Sequence, residues 1–187
     1  MTKVVVLAGP IAVGKTAVAD ALADQLLADV VSARRVLLRE TGAEADRTSL
    51  QTGGRLLDQR TNGRWLLYAL EERLDQSEKD LIVLDSARTM RQTVPILENL
   101  STARLVYLEA NTDARRIRYA RSAASDEVKR SADFAVSGEH ITERNILDLR
   151  TGADLRLDTT SLTLGETVEA VVQELGLRTS WLQDDRP

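Results

Sequence analysis

Cysteine is absent from the 187 residues, which excludes disulfides, thiol nucleophiles and every cysteine-based metal site. Aromatics are scarce at 3%, so a core must be built mainly from Leu, Val, Ile and Ala within the 43% apolar content. No apolar run approaches the length of a membrane span. An excess of positive charge is missing too. The net charge is −4 and the pI near 5.2, which argues against nucleic acid or a membrane surface as a partner. The single histidine, His140 after Glu139, reads as a surface or helix-start residue. Met1-Thr2-Lys3 leads directly into an apolar stretch, so no secretory leader is expected and a cytoplasmic setting is. The length suits one domain, 1–187, and asks for no second.

What is present is concentrated near the start. Val4-Val5-Val6-Leu7-Ala8 reads as a short buried strand. It runs into Gly9-Pro10-Ile11-Ala12-Val13-Gly14-Lys15-Thr16, the spacing G-x-x-x-x-G-K-T of a phosphate-binding loop. Two glycines allow a tight turn whose successive N–H groups form a nest for anionic oxygens, with Ala12, Val13 and Ala17 contributing backbone. Lys15 reaches outer phosphates and the Thr16 hydroxyl suits Mg²⁺. A helix follows, with Val18, Ala21, Leu22 and Leu26 on one face, and adds its positive dipole end. Strand, loop and helix together imply a nucleoside triphosphate, ATP, with Mg²⁺.

Further along, Asp29–Ser32 reads as a strand and 34–40 as a brief helix ending near Gly42. A helix over 46–59 is expected to be loosened at Gly53-Gly54, and Thr61-Asn62-Gly63 punctuates the chain. Residues 64–76 are amphipathic, with Leu67, Leu70 and Leu74 on one side. Leu81–Asp85 is a clear strand. A helix over 94–100 follows, placed there so that Pro95 falls in its first turn. A strand over 105–109, a basic helix over 112–121, a polar mobile excursion over 122–138 and a helix over 139–149 come next. A strand over 154–158 and a final helix opened by the capping box Thr163-x-x-Glu166 complete the body. The tail over 176–187 reads as loose, with Trp181 and Leu182 able to dock. Short apolar strands alternating with helices imply an α/β, three-layer fold around a five-stranded parallel sheet.

Asp85 ends a buried strand, where a carboxylate can face Thr16 across Mg²⁺. Arg88 offers a planar guanidinium to a phosphate, and Gln92 offers both donor and acceptor to a base edge. Asp85-Ser86-Ala87-Arg88-Thr89-Met90-Arg91-Gln92 resembles the adenylate kinase family's Asp, turn, Arg-Thr, two residues, Gln, with the turn one residue shorter. The likeness implies that Arg88 binds an acceptor phosphate and that Gln92 approaches an acceptor base. Ser32-Ala33-Arg34-Arg35-Val36-Leu37-Leu38-Arg39 looks like the nucleotide kinase segment in which Ser/Thr leads to an arginine. Ser32 and Arg39 then become acceptor contacts, while Arg34 and Arg35 read as solvated.

Arg115, Arg116, Arg118 and Arg121 resemble the start of a nucleotide kinase lid, spanning 116–140 here, with Lys129 and Arg130 further in. Arg118 and Arg121 share a side of their helix and can address one charge centre. A solvated basic face with Glu109 and Asp113 as salt partners is the alternative. Residues 33–79 form the helical acceptor-binding region. Trp65 reads as core or as an acceptor-stacking ring.

In layout the chain is also similar to dephospho-coenzyme A kinases and phage-type deoxynucleotide kinases. What these resemblances imply is γ-phosphoryl transfer from ATP to a nucleoside monophosphate or similar phosphorylated acceptor. A homodimer is compatible with the sequence, which fixes no oligomeric state. A second reading is another P-loop transferase, since Gly9 to Thr16 is also similar to the loop of tRNA isopentenyltransferases. That family carries an aspartate after the second strand, where this chain has Ser32-Ala33-Arg34-Arg35. A third reading is a regulatory ATPase without an acceptor.

Overall fold

The structure is a computed structural model that describes residues 1–123 and 146–177. The readings made of Lys129, Arg130, His140, Trp181, Leu182 and most of 139–149 lie outside the described residues. Five parallel strands, β1 (Lys3–Ala8), β2 (Asp29–Ser32), β3 (Leu81–Asp85), β4 (Ala103–Glu109) and β5 (Leu155–Asp158), form one sheet in the order β2-β3-β1-β4-β5. The helices described are α1 (Lys15–Leu26), α2 (Ala33–Thr41), α3 (Arg47–Thr61), α4 (Trp65–Gln76), α5 (Met90–Asn99), α6 (Thr112–Ala123) and α7 (Leu164–Glu174). Among the described residues, no helix is long and apolar enough to cross a membrane.

Strand periodicity divides the core in two. Val4, Val6 and Ala8 of β1 point to one face with Ile82, Leu84, Leu105 and Tyr107, against Leu66 and Leu70 of α4 and Ile96 of α5. Val5 and Leu7 point to the other with Val83, Val106 and Leu108, against Val18 and Leu22 of α1 and Val168 and Val171 of α7. Both faces of the central strands are therefore covered, as a parallel sheet requires. Each fully buried leucine contributes about 1.5–3 kcal/mol relative to an exposed one, and Leu7, Leu22, Leu66, Leu70, Leu84, Leu105 and Leu108 are all of this kind.

Two expectations change. Helix α3 runs unbroken through Gly53-Gly54. Gly53 is buried against α2, where an added Cβ would lie 3.2 Å from both Leu37 Cδ2 and Thr41 Oγ1. The small residues bring two helices together and do not loosen one. Helix α5 begins at Met90, four residues before the expected start, so Pro95 sits inside it. Pro95 has no N–H for the Arg91 carbonyl one turn back. That carbonyl is instead covered from outside by Gly63, whose Cα is so close that a Cβ would stand 2.1 Å from it. Asn62 (φ 51°) and Gly63 (φ 79°), both left-handed, make the corner between α3 and α4 that delivers this contact.

The capping box at α7 is present. Glu166 N donates to Thr163 Oγ1 at 3.2 Å, and Thr163 N donates to Glu166 Oε2 at 2.8 Å. Asp46 caps α3 by accepting from Thr48 N and Ser49 N at 2.9 and 3.1 Å. Hydrogen bonds from Ser49 hold the Asp46 carboxyl below its ordinary pKa, and those from Thr163 do the same for Glu166. Depressed carboxyl pKa values stabilise the fold above the unfolded values near 4, and that stability is lost as pH falls through the folded values. The urea midpoint is therefore expected to drop as the pH is lowered below about 4. It should drop less steeply in Asp46→Asn/Glu166→Gln, which keeps the caps and removes their titration. Parallel curves for the two proteins would contradict this.

Candidate active site

The loop between β1 and α1 is built on left-handed backbone at Gly9 (φ 138°), Ala12 (φ 61°) and Gly14 (φ 107°). Ala12 carries a Cβ in this sparsely allowed region, a local strain of the kind that clusters at ligand sites. Gly9 lies against β4: a Cβ there would be 2.1 Å from the Leu108 carbonyl oxygen. Gly14 is the N-cap of α1, so the first N–H groups of that helix lie at the end of the loop. Lys15 is 9% exposed and its Nζ donates to the Gly9 and Pro10 carbonyls at 2.7 and 2.9 Å. Its ammonium thus folds back over the loop. Thr16 and Ala17 are exposed on the first turn of α1.

Asp85 ends β3, level with Leu7 of β1 and Ser32 of β2. Its half-buried carboxyl belongs to the same edge of the sheet as the loop, since Ala87 N crosses to the Leu7 carbonyl at 3.1 Å. Arg88 follows, exposed, with its backbone N–H bonded to Gln92 Oε1 at 2.9 Å.

Gln92 departs from the base-contact expectation. It is 6% exposed, and its Nε2 donates to Asp58 Oδ1 and Oδ2 at 3.0 and 3.2 Å. Both ends of its amide are occupied within the protein. Trp65 is buried, and its Nε1 donates to the same Asp58 at 2.7 Å, which makes it core with one polar tie, while it also lines a cavity between α2, α3 and α4. Ser32 is the N-cap of α2, its hydroxyl accepting from Arg35 N at 3.4 Å.

Arg39 is not brought to this group. It donates to Glu40 at 2.9 Å and Glu72 at 3.0 Å, hydrogen bonds that raise its pKa, Glu40 contributing most. With Glu72 it lines two cavities. One, of about 220 Å³, follows the edge of β2 from Val30 to Ser32. The other, of about 510 Å³, lies between α2, α3 and α4 against Leu57, Trp65 and Tyr68. Neither is lined by the loop over 9–16.

On the other side of the loop, Arg118 of α6 donates to the Val13 carbonyl at 3.2 Å and to Thr159 Oγ1 at 2.9 Å, with a further bond to the Thr159 carbonyl. Thr159 follows β5, is 3% exposed and in turn donates to the Glu109 carbonyl at 3.1 Å. The guanidinium therefore fastens the phosphate loop to the ends of β4 and β5. Arg121, one turn on, is exposed. Asp113 pairs with Arg116 at 3.4 Å, but Glu109 forms a two-pronged bridge to Arg150 at 2.7 and 3.1 Å instead of to the helix arginines.

Two polar residues of the site escaped sequence reasoning. Asp58 resembles any exposed helix carboxylate, its one signal being a position seven residues before a tryptophan. Thr159 has no local signal, since its partners are far away in the chain.

A parallel 2-3-1-4-5 sheet, a glycine loop after the central strand β1 and a carboxylate ending its neighbour β3 give a three-layer α/β P-loop fold. No family model and no curated protein matches the chain. Solved structures do. An uncharacterized protein from Eubacterium ventriosum is 11% identical over 95% of this chain and 100% of its own, with a TM-score of 0.63. The shikimate kinase of Acinetobacter baumannii, solved with shikimate, is 20% identical over 92% of each chain, at 0.61. A tunicamycin resistance protein of Deinococcus radiodurans is 17% identical over 95% and 98%, at 0.59. At these identities the shared property is the fold.

Proposed function

We propose that this chain is an ATP- and Mg²⁺-dependent small-molecule kinase that moves the γ-phosphoryl group to a nucleoside monophosphate or a similar phosphorylated acceptor. The observation that carries the reading is one edge of the sheet holding Lys15 over a left-handed phosphate loop, Asp85 beside it and Arg88 on the adjoining turn. The donor set suits the groups it would hold. The loop backbone from Gly9 to Ala17 and Lys15 fit a triphosphate, and Thr16 and Asp85 fit Mg²⁺. Among the described residues no three His, Cys, Asp or Glu side chains gather. Thr16 and Asp85 would hold a divalent cation, which when bound would supply neutralising charge at the nucleotide's phosphates. Lys15 then orients the outer phosphates, Arg88 holds the acceptor anion, and the exposed Arg121 is available to the transferred group. Catalysis is positioning plus electrostatics.

A hydroxyl acceptor is the second reading. It is favoured by the internal use of Gln92 and Arg39, the two residues a nucleotide acceptor would call on. One neighbour of the same fold is described as a kinase in complex with shikimate, a hydroxylated acid. The test is ADP release from ATP and Mg²⁺ across nucleoside monophosphates, deoxynucleotides, dephospho-coenzyme A and hydroxy acids, with Arg88→Ala alongside. Turnover stimulated by one acceptor, with its KM raised about 10- to 100-fold in Arg88→Ala, is expected. Slow hydrolysis indifferent to every acceptor would turn the assignment to a regulatory ATPase.

A further inference from the structure

Asp58 is one turn from the end of α3, half-buried, and its carboxylate takes three hydrogen bonds from neutral donors on two other helices. Trp65 of α4 supplies one and Gln92 of α5 two. The far end of the Gln92 amide accepts from Arg88 N at 2.9 Å. A continuous chain of bonds thus starts in the helical region over 33–79 and ends on the backbone of Arg88, three residues beyond Asp85.

Its direction is forced by chemistry. An ionised carboxylate only accepts, and an indole N–H only donates. Gln92 must turn its NH₂ to Asp58, which leaves its carbonyl, and nothing else, for the Arg88 N–H. Trp65 and the shorter Gln92 bond share Oδ1, which an asparagine at 58 would keep. Its NH₂ would replace Oδ2 and face the Gln92 NH₂ at 3.2 Å. Reversing the Gln92 amide relieves that conflict and so sets donor against donor at Arg88. Burial of Gln92 keeps water from filling in.

We infer that Asp58 is a positioning residue for Arg88. Through Gln92 it fixes the backbone from which the guanidinium approaches the acceptor, and it ties that backbone to the helices on the acceptor side. The inference rests on the kinase reading for its kinetic consequence, but not for its structural one.

The test uses the full-length chain and two readouts. Hydrogen exchange of the Arg88 amide, followed by NMR, is expected to speed up about tenfold or more in Asp58→Asn. Gln92→Leu, which removes the relay while filling its space, should do the same and serves if Asp58→Asn does not fold. Arg91→Ala, whose side chain touches Asn62 instead, should leave Arg88 exchange unchanged. For the acceptor identified by turnover, Asp58→Asn should raise the acceptor KM about 10- to 100-fold and leave the ATP KM within about twofold. Unchanged exchange in both Asp58→Asn and Gln92→Leu overturns the inference. So does equal acceleration in Arg91→Ala, or equal loss for ATP and acceptor, since each marks general loosening. If the wild-type protein turns over no acceptor, the kinase reading fails while the exchange result still decides the role of Asp58.

Discussion

Lys15→Ala is expected to lower phosphoryl transfer by about 10³-fold or more, the scale on which removal of a cation or donor aimed at developing charge is felt. The ammonium is already held at the loop, bonded to the Gly9 and Pro10 carbonyls and mostly shielded from water. Little reorganisation separates that position from one over the outer phosphates, so the charge acts where the local dielectric is low. Stability should change much less. The variant removes the Lys15 bond from the Gly9 carbonyl, at a cost of about 1 kcal/mol, while the Pro10 carbonyl keeps a bond from Val13 N at 3.4 Å and the desolvation of a buried cation is relieved. A rate assay beside a thermal melt separates the two effects. Activity within about tenfold of wild type would remove Lys15 from the chemistry. Lys15→Arg should not restore the rate, because a planar fork does not replace a compact ammonium held between two carbonyls.

A large loss of stability is expected at Gly63, outside the loop over 9–16. A methyl group there meets the Arg91 carbonyl oxygen at 2.1 Å, and the backbone is left-handed at φ 79°. Neither partner is the end of a flexible side chain. Overpacking and backbone strain together make Gly63→Ala destabilising by about 3 kcal/mol or more. For a chain of this size that corresponds to a fall in Tm of roughly 6–12 °C. Gly152→Ala, at an exposed position where an added Cβ meets nothing within 4 Å, is the control and should shift Tm little. A Gly63→Ala protein melting with wild type would mean that the α3–α4 corner and α5 can part at small cost. Because that corner also carries Trp65 and Asp58 to Gln92, a folded Gly63→Ala protein should have disturbed contacts around Arg88 as well.

What was legible in the sequence was what local chemistry decides. Asp29–Ser32 and Leu81–Asp85 could be bounded because apolar, β-branched runs end in polar residues there, and the loop from Gly9 to Thr16 is written in contiguous residues. The start of α5 was not legible. The rule that confines proline to a first turn assumes that nothing else will meet the carbonyl it abandons, and the residue that does, Gly63, lies in a different element. Arg39 shows the same limit from the side of charge. The resemblance of its segment to that of nucleotide kinases makes it an expected acceptor contact, whereas Glu72, which engages it, comes from α4. Gln92 has both donor and acceptor and is expected at an acceptor base, but its partners, Asp58 and Arg88 N, depend on how α3 crosses α5. Pairwise tertiary contacts decide which polar side chains remain available to a ligand, and such contacts leave no periodic trace.

The placement of Gly9 against Leu108 bears on how the molecule is made. β1 lies in the middle of the sheet, and its neighbours, β3 and β4, begin at Leu81 and Ala103. As the chain leaves the ribosome at about 5–20 residues per second, the loop over 9–16 emerges before β3 and β4 and waits for the strands that will shape it. The wall behind Gly9 does not exist until Leu108 has been synthesised and paired. A nascent chain halted anywhere before β4 carries the whole G-x-x-x-x-G-K-T signature and has no supported cradle in which to hold a triphosphate. Any ligand of this loop can therefore aid folding only after β4 has been made and paired.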